Sequence, residues 1–178
     1  MRTPEDIETD PDGLIRLGTV ASVDLAAARC TVKFDDEAES PPLRWIEGAM
    51  GATRTWSPPS VGEQVLLLCP AGEIAAAVAL RGIACTVHAA PGSTARELIR
   101  FTDGAEIAYD PESHELEAVL PSGATLLLVA DGGISITGDI TLTGKLTASD
   151  DVIAAGKSLK SHVHFGVQSG SSNTGEPA

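Results

Sequence analysis

Two histidines near the C-terminal end, His162 and His164, are separated by a single residue in the segment SHVHFG at 161–166. In an extended strand, side chains i and i+2 lie on the same face, so the two imidazoles would project together while Val163 and Phe165 project oppositely. Imidazole nitrogens suit iron, nickel, copper or zinc. The pair is half of a chelate, and the remaining ligands must come from elsewhere.

Other residues of metal-binding type are sparse. The three cysteines, Cys30, Cys69 and Cys85, are odd in number and have no CxxC spacing, so neither a disulfide framework nor a zinc cage is indicated. We expect them to be small buried hydrophobes in a protein made in a reducing cytoplasm. Cys85 and His88 are ligands by type, but they have no further partners nearby, so no metal site is predicted there.

The overall composition restricts the classes of partner. The net charge is −13, which disfavours nucleic acid and anionic lipid, because both are bound through Lys and Arg. Hydrophobic residues make up 43% and aromatic residues only 3%, so the core must be aliphatic. The sequence contains no signal-peptide pattern and no apolar run of about 18 residues, and we expect a protein that is not inserted in a membrane.

The first half of the chain has the pattern of a small β-barrel. Residues 1–13 are acidic and carry two prolines, which predicts an N-terminal arm without its own core. Five short strands are then predicted at 14–24, 29–34, 43–46, 64–69 and 74–80, the last antiparallel to the fourth. Five strands in about seventy residues are typical of an OB-fold domain, here spanning 14–83. Residues 84–96 are rich in small residues and are predicted to form a connector.

Residues 97–160 are predicted to be strands throughout and become periodic toward their end. An Asp-Gly turn signal lies at 103–104, and glycine recurs every six residues at positions 132, 138 and 144, and again at 156. Two apolar columns follow this spacing: Ile134, Ile140, Leu146 and Val152 in one, and Ile136, Leu142, Ala148 and Ala154 in the other. About five hexads give too few coils to bury a core in one chain. Three chains wound around one axis would supply it, so the repeat predicts an intertwined trimeric β-helix.

A threefold axis would complete the histidine chelate. Three copies of His162 and His164 place six imidazoles around one point, which suits an octahedral ion. Such an ion has no open position for substrate, so residues 161–178 are predicted to form a structural metal-capped tip without catalytic turnover.

Several segments resemble the phage baseplate assembly protein V family, the central spikes of contractile phage tails and of phage-tail-like bacteriocins. They are LIRLGTV at 14–20, WSPPSVGEQV at 56–65, PAGE at 70–73, and the tail SHVHFGVQSGSSNTGEP at 161–177. The resemblance implies an iron ion, one per homotrimer, held by His162 and His164. It also implies a baseplate position on the tail hub protein, in a virion or tail-like particle. From there the spike would cross the outer membrane of the host when the sheath contracts.

Three other functions remain open from the residues alone. A metal-dependent hydrolase would need a third ligand or a general base near His162, and after Asp151 the only carboxylate is Glu176. A hexapeptide-repeat transferase would need a longer repeat. An OB-fold binding module would need a basic groove with stacking aromatics, which the sequence does not show. The chain is therefore predicted not to be an enzyme and not to bind nucleic acid.

Overall fold

The computed structural model describes residues 11–35, 38–163, 165, 166 and 170. The chain divides into two compact units, Met1–Thr125 and Leu126–Ala178. The described part of the first unit contains a short helix, α1 (Pro11–Leu14), and nine strands. These are β1 (Ile15–Asp24), β2 (Arg29–Phe34), β3 (Ala38–Glu39), β4 (Arg44–Trp45), β5 (Gln64–Leu68), β6 (Val78–Ile83), β7 (Glu97–Arg100), β8 (Glu106–Asp110) and β9 (Glu115–Val119). The all-β prediction is confirmed.

Six of these strands form a single curved sheet in the order β3-β2-β1-β5-β6-β4. Strand β1 pairs antiparallel with β2 and with β5, β5 pairs antiparallel with β6, and β4 runs parallel to β6. Immediately before β4, Leu43 exchanges backbone hydrogen bonds of 2.8 and 3.0 Å with Cys30 of β2. This bridge returns the last strand to β2, so the sheet closes into a small barrel.

The barrel core follows the alternation expected of strands with one buried face. In β5, Val65 and Leu67 are fully buried, and Cys30 and Val32 of β2 belong to the same buried cluster. Gly18 of β1 allows β1 to approach β2 closely. A methyl group there would collide with Val32 Cγ1 and would lie 2.8 Å from the carbonyl oxygen of Lys33. The core is aliphatic, as the composition predicts.

One predicted strand begins later than expected. Residues 74–80 were predicted to be extended, but Ile74–Ala76 forms a 3₁₀ turn that follows another at Pro70–Gly72, and β6 starts only at Val78. Ala71 adopts a positive φ of 55°, which turns the chain sharply after Pro70. The alanine-rich sequence suits this compact turn as well as it suits a strand, since alanine has no β-branch to favour extension.

Strands β7, β8 and β9 form a separate three-stranded antiparallel sheet. The β7–β8 hairpin turns at Asp103 and Gly104, where the Asp103 carboxylate accepts a hydrogen bond from the Ala105 amide, so the predicted Asp-Gly turn is confirmed. One face of the sheet carries ion pairs from Arg96 and Arg100 to the carboxylates of β8 and β9. The opposite face exposes apolar side chains, namely Ile99, Ile107, Tyr109 and Leu116.

In the second unit, the described residues contain one hairpin, made of β10 (Ile153–Ala154) and β11 (Lys157–Ser158). Residues 126–152 contain no strand, and the apolar columns of the hexad repeat are exposed to solvent. A strand needs a hydrogen-bonding neighbour, and the segment pairs with no strand among the residues that the structure describes. The trimeric β-helix therefore stays a prediction. No helix among the described residues has both the length and the apolar character that a membrane span requires.

Candidate metal-binding apex

The β10–β11 hairpin lies directly before the histidine segment. Ile153 pairs with Ser158 and Ala154 pairs with Lys157, so only two residues make the loop. These two, Ala155 and Gly156, have φ values of 49° and 75°. Two positive φ values in a two-residue loop define a type I′ turn, whose twist matches that of the paired strands. The turn brings residues on either side of the hairpin next to each other, as with Asp151 and Lys160, which are nine positions apart in sequence.

Asp151 closes the open end of this hairpin. Its Oδ1 accepts hydrogen bonds from the backbone N–H of Val152 at 2.8 Å and from that of Lys160 at 3.0 Å. Hydrogen bonds from the Ser158 hydroxyl, and next from the Lys160 amide, hold the pKa of Asp151 below its ordinary value. The side chain is therefore a carboxylate at neutral pH and acts only as an acceptor.

His162 lies one backbone turn after the end of β11. Its backbone N–H donates to the carbonyl of Ser158 at 3.1 Å, and its Nδ1 lies 3.1 Å from the carbonyl oxygen of Leu159. A carbonyl oxygen can only accept, so Nδ1 carries the hydrogen in this contact and the lone pair of the neutral ring belongs to Nε2. The imidazole side chain is exposed to solvent. This arrangement is typical of metal-binding histidines, whose second nitrogen donates to an oxygen.

His164 lies outside the described residues, so its position relative to His162 stays a prediction. His162 and Val163 belong to no strand in this chain, and the extended geometry predicted for the pair remains untested as well. Among the residues that the structure describes, no group of three or more histidine, cysteine, aspartate or glutamate side chains is placed to hold a metal ion.

Cys85 and His88 are also residues of metal-ligand type, and they contact each other and the barrel. The His88 backbone N–H donates to Cys85 Sγ at 3.4 Å, and His88 Nε2 lies 3.2 Å from the carbonyl oxygen of Val61. The contacts join the connector to the loop before β5. Cys30 and Cys69 are buried as expected, whereas Cys85 is only partly buried.

The proline-rich loop between β4 and β5, residues 46–63, is held by an ion pair that the sequence analysis did not predict. Glu63 and Arg81 form a two-point contact, with Nε to Oε1 at 2.9 Å and Nη2 to Oε2 at 3.1 Å, and their side chains are only 12% and 21% exposed. Glu63 Oε2 also accepts from the Ser60 amide at 2.9 Å, and Arg81 Nη1 donates to the carbonyl of Ser57. Glu63 immediately precedes β5, and Arg81 lies 18 positions further on, in β6, so only the pairing of these two strands reveals the contact.

The start of the same loop is organised around Glu47. Its carboxylate accepts hydrogen bonds from the Trp45 indole N–H at 2.8 Å, the Ser57 amide at 2.9 Å and the Thr55 hydroxyl at 3.0 Å. The Ser57 bond, followed by the Trp45 bond, lowers the pKa of Glu47. The rings of Trp45 and Trp56 lie 5.5 Å apart at a tilt of 54°. The loop is thus a defined surface on the barrel, from which Trp56 projects half exposed.

Two regions of the chain, one in each half, match models of known protein families. Residues 16–83, which include the barrel strands, match the family model of the type VI secretion system/phage-baseplate injector OB domain. Residues 158–178, which include His162 and His164, match the GpV Apex motif. The OB fold predicted for the first half is confirmed.

One curated relative supports the same assignment. The "Spike protein" of Escherichia phage P2 is 37% identical over 141 residues, which are 79% of this chain. The matched region spans 60% of that relative's length. The resemblance seen in the sequence motifs is confirmed: the chain belongs to the phage baseplate assembly protein V family of structural spike proteins.

Proposed function

We propose that three copies of this chain assemble into the central spike of a contractile-tail baseplate. Residues 97–160 wind into an intertwined β-helix, and residues 161–178 form its tip, where His162 and His164 of each chain hold one iron ion. The barrel docks on the tail hub protein. The spike is synthesised in the bacterial cytoplasm, is carried in a virion or tail-like particle, and pierces the outer membrane of the host on contraction.

The observation that carries this proposal is the unpaired apolar repeat directly before a matched apex motif. Ile134, Ile140 and Leu146 recur at six-residue intervals, and all three are more than half exposed in the single chain. Soluble proteins rarely leave such a large apolar surface uncovered unless a partner binds there. Identical chains related by a threefold axis would cover each other's columns and supply strand neighbours that the described part of one chain does not provide.

The donor set fits an iron ion shared among chains. In this family the apex motif is the metal-binding apex, and His162 has its Nδ1 engaged by the Leu159 carbonyl, as a ligand that binds through Nε2 would. Two histidines per chain give six nitrogens per trimer, which is a complete octahedral set. When bound, iron would supply a crosslink with no open coordination position, and hence no catalytic function.

The proposed role is mechanical. Force from the contracting sheath must pass along the spike without separating its chains, and an intertwined β-helix leaves few free strand edges from which separation can begin. A shared ion would join the chains where the load is greatest. Slippage of a strand by one residue would turn His162 and His164 to the opposite face, so the ion would also fix the register.

The oligomeric state and metal content test the proposal directly. Native mass spectrometry should give a mass three times that of the 18.3 kDa chain, and elemental analysis of protein purified without added metal should find close to one iron per three chains. A monomer in solution would refute the spike assignment, because both the β-helix and the tip need three chains. One zinc per chain would favour a metal-dependent hydrolase instead.

The paired substitution His162→Ala with His164→Ala should remove the metal and leave the trimer intact, because the repeat is the larger interface. His114→Asn is the matched control, since His114 lies in the β8–β9 turn with a φ of 59°, a conformation that asparagine tolerates. The His114→Asn protein should keep both the bound metal and the mass of the trimer. Dissociation of the double variant at neutral pH would show that the tip, and not the repeat, holds the chains together.

A further inference from the structure

Residues that precede the matched apex motif take part in its geometry. The motif match begins at residue 158, within β11, yet the hairpin that contains β11 begins with β10 at Ile153 and is closed by Asp151. The backbone position of His162 depends on this hairpin, because the His162 amide is bonded to Ser158 and its ring to Leu159. Residues outside the motif therefore control how a residue inside it is held.

We propose that Asp151 is a positioning residue for the apex metal, latching the β10–β11 hairpin so that His162 is held ready to bind. Asp151 does not itself contact the ion. Its Oδ1 reaches across nine residues to the amide of Lys160, two positions before His162. This bond holds the Lys160 backbone in place within the turn from Ser158 to His162.

The chemistry of the latch favours a carboxylate. A single Oδ1 accepts from two amides, and a negatively charged acceptor forms stronger hydrogen bonds than a neutral one. Within the same turn, the Ser158 hydroxyl accepts from the Ser161 amide at 2.9 Å. Asp151 fixes the Lys160 end of this turn, and loss of the carboxylate would release its bonds to the Val152 and Lys160 amides together.

Asp150 provides an internal control for charge and location. It has the same side chain as Asp151 and lies next to it, but it contacts the Lys160 ammonium at 2.8 Å rather than the Lys160 amide, and the carboxylate is 86% exposed. An exposed pair of this kind contributes little to structure. Substitution of Asp150 removes the same charge without opening the hairpin.

The test measures how fast iron leaves the trimer to an excess of a coloured ferrous chelator. The Leu159 carbonyl is the outer-shell partner of His162, and loss of such a partner typically weakens a metal site by about 10- to 100-fold. Because Asp151→Ala opens the hairpin that presents Leu159, it should release iron about 10 to 100 times faster than the wild type. Asp150→Ala should stay within about twofold of the wild type. Asp151→Asn, which keeps one acceptor oxygen, should fall between them. Native mass spectrometry should show a trimer for each variant.

Because this assignment rests on the proposed three-chain metal site, the controls separate the two failures. Iron bound by the wild type, absent from the His162→Ala/His164→Ala protein, but released equally fast from Asp151→Ala and Asp150→Ala would overturn the latch alone. Absence of iron from the wild type would overturn both. Should Asp151→Ala not assemble, Asp151→Asn decides, and a release rate equal to that of the wild type would refute the latch.

A measurement without metal checks the structural half of the inference. In the His162→Ala/His164→Ala background, adding Asp151→Ala should speed hydrogen exchange at the Lys160 amide, whereas adding Asp150→Ala should not. Equal exchange in both would mean that Asp151 does not close the hairpin.

Discussion

Replacing Glu63 by Gln tests whether its ion pair with Arg81 holds the proline-rich loop on the barrel. Gln keeps one oxygen acceptor but removes the charge and the second acceptor, so the two-point contact and the bond from the Ser60 amide cannot all persist. Hydrogen bonds to charged groups are worth about 1.5–3 kcal/mol each. Because both side chains remain slightly open to water, we expect a net loss of about 2 kcal/mol, smaller than for a fully buried pair.

Native-state hydrogen exchange at the Ser60 and Gly62 amides is the suitable assay, since the Gly62 N–H donates to Val20 of β1 and reports whether the loop is docked. A loss of about 2 kcal/mol corresponds to exchange about 30-fold faster. Asp35→Asn, which breaks an ion pair to Arg16 whose carboxylate is 64% exposed, should change exchange by less than about threefold.

A double-mutant cycle identifies the pair as the cause. Arg81→Lys keeps the charge but loses the two-point geometry, and combining it with Glu63→Gln should give a coupling energy of about 1 kcal/mol or more. A coupling energy below about 0.3 kcal/mol, the error expected for independent sites, would refute the view that this pair docks the loop.

Two further perturbations test the barrel. Gly18→Ala should lower the free energy of unfolding, measured by calorimetry, by about 1–3 kcal/mol, because the added methyl group collides across the β1–β2 interface. The control is Gly51→Ala, whose added methyl group has no atom within 4 Å and which should be close to neutral. Equal effects of the two substitutions would contradict the collision. Acidification should change the tryptophan fluorescence, since Glu47 bonds to Trp45 and the chain has two tryptophans, both at this loop. The pKa of Glu47 is lowered on folding, so the stabilisation of the folded state by Glu47 is complete above the ordinary pKa of 4.5 and is lost as pH falls through the lowered pKa. Glu47→Gln should remove this fluorescence transition. An unchanged transition in that variant would exclude Glu47 as its source.

Much of the barrel could be predicted from the sequence because its signals are local. The alternation of Cys30, Val32 and Phe34 predicts β2, and the short apolar run at 64–69 predicts β5. The 3₁₀ turn at Ile74–Ala76 could not be predicted, because its alanines suit a strand and a compact turn alike and no periodicity distinguishes the two. Pairing order and the Leu43–Cys30 bridge are likewise properties of the folded sheet.

The candidate site was predictable only in part. The spacing of His162 and His164 and the tail that follows them identified the apex, and the family model agrees. The role of Asp151 was not visible, because its partner amide on Lys160 becomes a neighbour only after the I′ turn at Ala155 and Gly156 has formed. The sequence shows an Asp before a short strand, a pattern too common to single it out.

The exposed apolar run at 126–129 has a consequence for the order of events during synthesis. The barrel has its own buried core, whereas Leu126 and its three successors are 65–80% exposed in the single chain. In the proposed trimer, barrel folding would be a first-order process, and completion of the spike would be a later step whose rate rises with chain concentration. Between the two steps, four consecutive exposed apolar residues form an aggregation-prone segment, so the chain is most vulnerable to misassembly in the interval before assembly.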